Sequence, residues 1–125
     1  MFYYNGNNLS NIEKEYLFRK EKKKEYLELY FSGKDDNDKI SVNLMFDIAK
    51  EKLNMLELYD EEYISEYLIG EECYFGINND YSLLNIEDLN IKITKIDKNK
   101  YQFKIDSYIN KFTIESDIIF EVEKE

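Results

Sequence analysis

Two neighbouring stretches of the chain alternate apolar and polar side chains, and this period of two predicts β-strands. EYLELYFS (25–32) is the first stretch and KISVNLMF (39–46) is the second. The apolar side chains expected on one face are Leu27, Leu29 and Phe31, followed by Ile40, Val42, Leu44 and Phe46. Between the two stretches lies GKDDNDK, a polar segment with a glycine, so together they predict a β-hairpin.

The last third of the chain repeats the strand pattern. LNIKITKID (89–97) alternates imperfectly, and YQFKIDSYI (101–109) alternates regularly, with KNK (98–100) as the turn between them. KFTIESDIIFEVEKE (111–125) supplies one or two further strands. Consecutive strands joined by short turns predict an antiparallel meander with one face in water.

The first quarter of the chain is compatible with two structures. MFYY (1–4) suits a short first strand. Ser10 and Glu13 have the spacing of a capping box, which would begin a helix at SNIEKEYLF. The alternation in EKEYLFRKE suits a strand equally well, so the sequence leaves residues 10–24 undecided between helix and strand.

A helical period appears between the hairpin and the meander. In residues 47–70 the positions spaced by roughly 3.6 residues are Ile48, Leu53, Leu56, Tyr59, Tyr63 and Tyr67. Gly70 is the expected C-terminal stop, and a break near Tyr59-Asp60 would divide the segment into two short helices. ECYFGI (72–77) is expected to be extended. We therefore predict a single α+β domain over residues 1–125, mainly antiparallel sheet with a central acidic helical segment.

Charge is distributed very unevenly along this chain. It carries 27 acidic and 17 basic residues, a net charge of −10. No lysine or arginine lies between Lys52 and Lys92, whereas the rest of the chain has equal numbers of acids and bases. The acids of this interval are Glu57, Asp60, Glu61, Glu62, Glu66, Glu71, Glu72, Asp80, Glu87 and Asp88. The whole net charge therefore belongs to the interval 53–91.

The amino-acid composition excludes most catalytic mechanisms and most metal sites. The chain has no histidine, so Ser–His and Cys–His nucleophilic systems and histidine-containing zinc sites are excluded. Its single cysteine, Cys73, cannot form an internal disulfide and is expected in the core. The four glycines are scattered, so no phosphate-binding loop is present. A carboxylate-only enzyme, such as a two-acid glycosidase, is the less favoured hypothesis. We expect no catalysis, cofactor or metal.

The distribution of apolar residues also predicts the cellular location of the protein. There is no apolar run of about 18 residues, and MFYYNGNN lacks the basic and apolar regions of a signal peptide. We therefore expect a cytoplasmic protein. The abundance of Asn, Ile, Lys and Tyr, with no proline, is typical of AT-rich coding DNA and indicates a bacterial or phage source.

The acidic helical segment is the best candidate for binding. Tyr59, Tyr63 and Tyr67 follow i, i+4, i+8 spacing and share one helix face. That face could pack on the sheet, or it could turn outward if Ile64 and Leu68 form the core face. The acids could equally be a solvated surface that maintains solubility. Candidate partner-binding residues are Tyr59, Asp60, Glu61, Glu62, Tyr63, Glu66, Tyr67, Glu71 and Glu72.

Two other charged clusters have simpler explanations. The acids of GKDDNDK lack the glycine and terminal glutamate of a calcium-binding loop, so a polar turn is expected. KEKKKE (20–25) is too short, and too mixed with acids, for a nucleic-acid patch. An acidic surface repels nucleic acid and anionic lipid and attracts basic proteins. The expected partner is therefore a basic protein: a toxin that grips RNA or DNA, a nucleic-acid-binding defence nuclease, or a basic host or ribosomal protein.

The segment NIEDLNIKITKIDKNKYQFKIDSYINKFTIESDIIFEV, preceded by the acidic helical segment, resembles the small immunity proteins that accompany bacterial secreted toxins, including contact-dependent systems. This resemblance implies stoichiometric neutralisation of a toxin. Size and acidity are also similar to those of phage-encoded inhibitors of CRISPR nucleases, which implies the alternative function of an acidic nucleic-acid mimic.

Overall fold

The strand predictions are confirmed along most of the chain. The computed structural model describes residues 2–70, 72–84, 89–109 and 112–121. Its strands are β1 (Phe2–Tyr4), β2 (Asn7–Asn8), β3 (Ser10–Glu21), β4 (Lys24–Lys34), β5 (Lys39–Phe46), β6 (Tyr74–Ile77), β7 (Asp80–Leu83), β8 (Leu89–Asp97), β9 (Lys100–Ile109) and β10 (Phe112–Glu121). Neighbouring strands pair antiparallel, as in the predicted α+β class.

The strands form two five-stranded sheets. The first sheet has the order β2-β1-β10-β9-β8, and the second has the order β3-β4-β5-β6-β7. The predicted hairpin is β4–β5, and the predicted meander is β8–β9–β10. Strand β1 joins the meander by pairing Phe2 with Ser116, so the first and last described strands lie side by side.

One hydrophobic core joins the two sheets. The rings of Phe2 and Phe31 meet edge to face at 5.0 Å, and those of Phe46 and Phe103 lie 5.6 Å apart. Each pair links a strand of the first sheet to a strand of the second. The predicted inward positions of the hairpin, which are all buried, are Leu27, Leu29, Phe31, Ile40, Val42, Leu44 and Phe46.

Residues 10–21 are a strand, which decides the question that the sequence left open. The Ser10 hydroxyl does not cap a helix but donates to the backbone oxygen of Lys34 at 3.1 Å. The register shifts between Ser10 and Glu13, where Asn11 adopts a φ of 51°. Beyond this bulge, β3 pairs regularly with β4, and the basic KEKKKE segment forms the exposed tip of that hairpin.

A helical crossover connects β5 to β6. It contains a 3₁₀ helix (Lys50–Leu58), then one α-helical turn (Glu61–Tyr63) that continues as a π-helical turn (Ile64–Leu68). The predicted break is confirmed, because Tyr59 and Asp60 both have extended backbone angles. The α-helical period was wrong for the first half. Leu53 and Leu56, its buried residues, are three positions apart and match the three residues per turn of a 3₁₀ helix.

The two ends of the crossover are fastened beside the end of β5. The Asp47 amide donates to the Leu68 oxygen at 2.6 Å, and the Gly70 amide donates to the Met45 oxygen at 2.6 Å. The helical part ends at Leu68 with Ile69 as its C-cap, so Gly70 lies directly after the cap, at the predicted end of the helical segment, without the positive φ of a glycine cap. A Cβ at Gly70 would lie 3.2 Å from the Met45 oxygen, so glycine permits this close approach. No described helix combines the length and the apolar character needed to cross a membrane.

Candidate protein-binding surface

The second half of the crossover has an apolar side and a tyrosine side. Ile64 and Leu68 are buried in the core. The opposite side carries Tyr63, which is 39% exposed, and Tyr67, which is 65% exposed. Tyr59 is half-buried and packs against the core. Of the two expectations for the tyrosine face, the outward one is therefore correct for Tyr63 and Tyr67, because Ile64 and Leu68 take the inward positions.

The three tyrosine rings lie in a row, nearly parallel at the first contact and tilted at the second, and we call this row the tyrosine stack. The ring centroids of Tyr59 and Tyr63 lie 4.3 Å apart with an angle of 15° between the ring planes. The centroids of Tyr63 and Tyr67 lie 5.0 Å apart with an angle of 43°. Spacing of four residues brings successive rings together on a helical turn. Contact between the rings restricts their rotamers before any partner arrives, which lowers the entropy cost of binding.

The carboxylates beside the stack differ in what they bond. The Asp60 carboxylate accepts a hydrogen bond from the Tyr63 amide at 2.8 Å and caps the helical turn. Glu62 and Glu66 are exposed, and their carboxylates take part in no hydrogen bond within the described part of the chain. Neither lies within 4.0 Å of a described lysine or arginine nitrogen, since both ion pairs among described residues involve Arg19. Neither carboxylate is therefore ion-paired within the described part of the chain, although Glu62 shares a second groove with Lys92 and Lys95.

The rings and carboxylates border a groove of about 330 Å³, which we call the tyrosine groove. Its lining residues are Leu58, Tyr59, Asp60, Glu62, Tyr63, Glu66 and Tyr67. Leu58 is 72% exposed even though it is apolar, because it is the last residue of the 3₁₀ helix and faces away from Leu53 and Leu56. No lysine or arginine lines this groove, whose walls all belong to described residues. It therefore combines aromatic rings, an apolar side chain and negative charge.

A second groove, of about 650 Å³, adjoins the tyrosine groove and shares Tyr59, Asp60 and Glu62 with it. The crossover contributes Glu57 and Glu61 to it, and β8 contributes Lys92 and Lys95. The sequence analysis missed both lysines, because they follow the interval that lacks basic residues. The packing of β8 against the crossover brings them next to the acids of that interval. The surface of one charge sign is therefore narrower than the sequence interval of one charge sign.

The other predicted binding residues lie apart from the tyrosine groove. Glu72 lines a hollow of about 420 Å³ together with Tyr67 and with Lys24 of the basic hairpin tip. Glu71 lies outside the described residues. Six of the nine candidates thus line the tyrosine groove, Glu61 lines the second groove, and Glu72 lines a hollow that Tyr67 also borders. Leu58 is the lining residue that the sequence analysis did not select, because it lies outside the helical period that contains Leu56 and Tyr59.

A buried phenol lies close to the charge of Glu57. Tyr101 is fully buried, and its hydroxyl has no hydrogen-bond partner among the described residues. Burial, and secondarily the negative charge of Glu57, raise the pKa of the Tyr101 phenol. Burial also raises the pKa of the Cys73 thiol, whose sulfur accepts from the Met45 amide at 3.4 Å. Cys73 is 0% exposed, so the expected core position is confirmed.

Two of the three acids of the β4–β5 turn, Asp35 and Asp38, accept hydrogen bonds within the fold. The Asp35 carboxylate accepts from the Asn37 amide at 2.8 Å and from the Asp38 amide at 2.6 Å. These hydrogen bonds, that from Asp38 first, lower the pKa of Asp35. The predicted polar turn is confirmed. Across residues 2–70, 72–84, 89–109 and 112–121, no three acidic or cysteine side chains are arranged to hold a metal ion.

No family model matches the chain, and neither the curated proteins nor the solved structures contain a significant match to it.

Proposed function

We propose that this chain is an acidic, non-catalytic binding protein of the cytoplasm that neutralises a basic protein partner by stoichiometric occlusion. One observation carries the proposal. The tyrosine groove presents the exposed rings of Tyr63 and Tyr67 beside the Glu62 and Glu66 carboxylates, which form no ion pair within the described residues. Tyrosine is enriched at binding hot spots because it brings a large contact area at low entropy cost.

The charge determines the class of partner. Unpaired carboxylates attract a basic surface and accelerate the encounter, and they oppose nucleic acid and anionic lipid. A protein partner with a basic site is therefore favoured over RNA, DNA or a membrane. Such a site is expected in enzymes that grip nucleic acid, whose action stops when an acidic protein covers it.

An immunity protein against a bacterial toxin is the first candidate, supported by the resemblance of the meander and the acidic segment to that group. A phage-encoded inhibitor of a CRISPR or other defence nuclease is the second. Lys92 and Lys95 interrupt the row of carboxylates at the second groove. A mimic of the evenly charged phosphate backbone gains nothing from such an interruption, which supports the proposal of an immunity function over that of a mimic.

Isothermal titration tests the proposal, with the purified chain titrated against the products of its neighbouring genes. We expect one-to-one binding to a basic toxin and loss of the toxin's activity at the same ratio. Stopped-flow association should slow as ionic strength rises, because exposed charges are screened within about 8–10 Å at physiological salt. Failure of every basic neighbour to bind, or turnover of a substrate by the chain alone, would remove the proposal.

A further inference from the structure

We infer that the tyrosine groove receives an arginine side chain of the partner, in preference to lysine. This inference rests on the proposed function, because it specifies which basic group enters the groove. It depends on three features of the groove: an exposed ring at the end of a stack, two carboxylates that form no ion pair within the described residues, and an exposed apolar side chain.

The first feature is the exposed ring of Tyr67. Tyr63 is covered by Tyr59 on one side and by Tyr67 on the other, at centroid distances of 4.3 and 5.0 Å. Tyr67 ends the stack and is 65% exposed, so part of its ring is free for a further planar group. The guanidinium of arginine is planar and stacks on aromatic faces, whereas the lysine ammonium is a compact, strongly hydrated point charge.

The carboxylates and the apolar side chain complete the match. Glu62 and Glu66 are four positions apart on one helical face, where two like charges repel each other. A guanidinium presents five donors in a fixed fork and can bond both carboxylates, which relieves this repulsion. Leu58, 72% exposed at the same groove, gives the methylene stem of the arginine an apolar surface to cover.

The test uses capped peptides of the sequence Gly-Xaa-Gly-Xaa-Gly-Xaa-Gly, in which Xaa is arginine, lysine or citrulline. Each is titrated into the full chain at low ionic strength while the aromatic carbon–proton NMR spectrum is recorded. We expect the arginine peptide to bind roughly two- to five-fold more tightly than the lysine peptide, the range for a cation–π contact at an exposed site. The citrulline peptide, which has the same shape without the charge, should not bind. The Tyr67 ring signals should move most.

Two variants assign the preference to the stack. Tyr67→Leu should remove the difference in affinity between the two peptides, with the larger loss for the arginine peptide, because lysine also makes a cation–π contact but cannot stack as a plane. Tyr81→Leu is the matched control, since Tyr81 is 54% exposed on β7 and lines no part of the groove. Its arginine preference should equal that of the unmodified chain. Backbone amide spectra verify that both variants fold.

Equal affinity for the arginine and lysine peptides would overturn the inference, as would an arginine preference that survives Tyr67→Leu. Failure here is distinct from failure of the proposed function. A toxin bound and neutralised by a chain without arginine preference would leave the function standing and remove the arginine site. An arginine preference lost in Tyr67→Leu supports the site even if no neighbouring gene encodes the partner.

Discussion

Two acid-rich stretches of this chain have similar composition and opposite use. In the β4–β5 turn, Asp35 accepts two backbone amides, and Asp38 accepts from the Asn78 side chain at 2.9 Å. In the second half of the crossover, Asp60 accepts one backbone amide, whereas Glu62 and Glu66 accept nothing from the described residues. The turn uses two of its three carboxylates to hold its own backbone and the neighbouring Asn78 side chain, and the second half of the crossover displays most of its own.

The backbone explains the difference. A tight turn leaves amide groups without partners, and a short acidic side chain nearby satisfies them. Within a helical turn, only the first few amides are free, so one carboxylate at the start is enough. Glutamates further along find no free amide. Within an acidic cluster, only the carboxylates that make no hydrogen bond in the fold therefore indicate a binding surface.

The largest expected effect tests the displayed carboxylates directly. Glu62→Lys combined with Glu66→Lys should cost roughly 2–4 kcal/mol of binding to a basic partner, because new positive charges oppose it at the groove. Titration calorimetry measures this loss. The melting temperature should stay close to that of the unmodified chain, because both side chains are exposed and bond nothing in the described structure.

The control for this experiment must avoid acids that hold the fold, which excludes Asp35. Glu13 and Asp36 are exposed, line none of the grooves of the crossover, and have no hydrogen bond to the described residues. Glu13→Lys combined with Asp36→Lys changes the net charge by the same amount and should weaken binding little. If both pairs weaken binding equally, net charge alone governs the interaction and the groove has no special role.

A smaller effect separates the two kinds of carboxylate within the crossover. Asp60→Ala removes the cap of the helical turn and should lower the free energy of unfolding by about 1 kcal/mol. Glu61→Ala, one position on, removes an exposed side chain without a hydrogen bond and should stay within about 0.5 kcal/mol. Urea denaturation of both variants measures the difference. Equal losses would mean that the capping bond contributes nothing and that the distinction fails.

The sequence was sufficient wherever a strand buries one face. Alternation located β4, β5, β8 and β9, and the buried positions follow it. It also located the break at Tyr59-Asp60. It did not locate β7, although the Asn78-Asn79 pair before it is a typical turn signal and Asn78 has a φ of 57°.

Other features depend on contacts that no local pattern contains. Pairing of Phe2 with Ser116 and division of the strands into two sheets are long-range choices. Tyr63 and Tyr67 face solvent because Ile64 and Leu68 occupy the core. Only tertiary packing decides which of the two pairs is buried. Lys92 and Lys95 reach the second groove because β8 packs beside the crossover. The interval without basic residues therefore does not coincide with the part of the surface that carries only negative charge.

A third kind of polar group, buried and unbonded, sharpens the comparison. The Tyr101 hydroxyl is buried without a partner among the described residues, so the fold bears its desolvation cost without compensation. Tyr101→Phe should leave stability unchanged or raise it by up to about 1 kcal/mol, measured by urea denaturation at pH 7. A loss above about 1 kcal/mol would show that the hydroxyl has a partner and belongs with Asp35 and Asp60 instead.

The smallest effect concerns pH and the turn. The amides that bond the Asp35 carboxylate lower its pKa in the folded chain, so its ionised form stabilises the fold. That contribution is present above the ordinary aspartate pKa of about 4 and is lost as pH falls through the lower pKa of the folded state. Asp35→Asn keeps the accepting oxygen and removes the charge. The stability difference between the unmodified chain and Asp35→Asn should therefore be greatest near neutral pH and shrink towards about pH 2. Urea denaturation across this range measures it, with Glu62→Gln as a baseline variant whose carboxylate bonds no described amide. A difference that stays constant with pH would mean that the turn gains nothing from the charge of Asp35, and the contrast between the two acidic stretches would then rest on geometry alone.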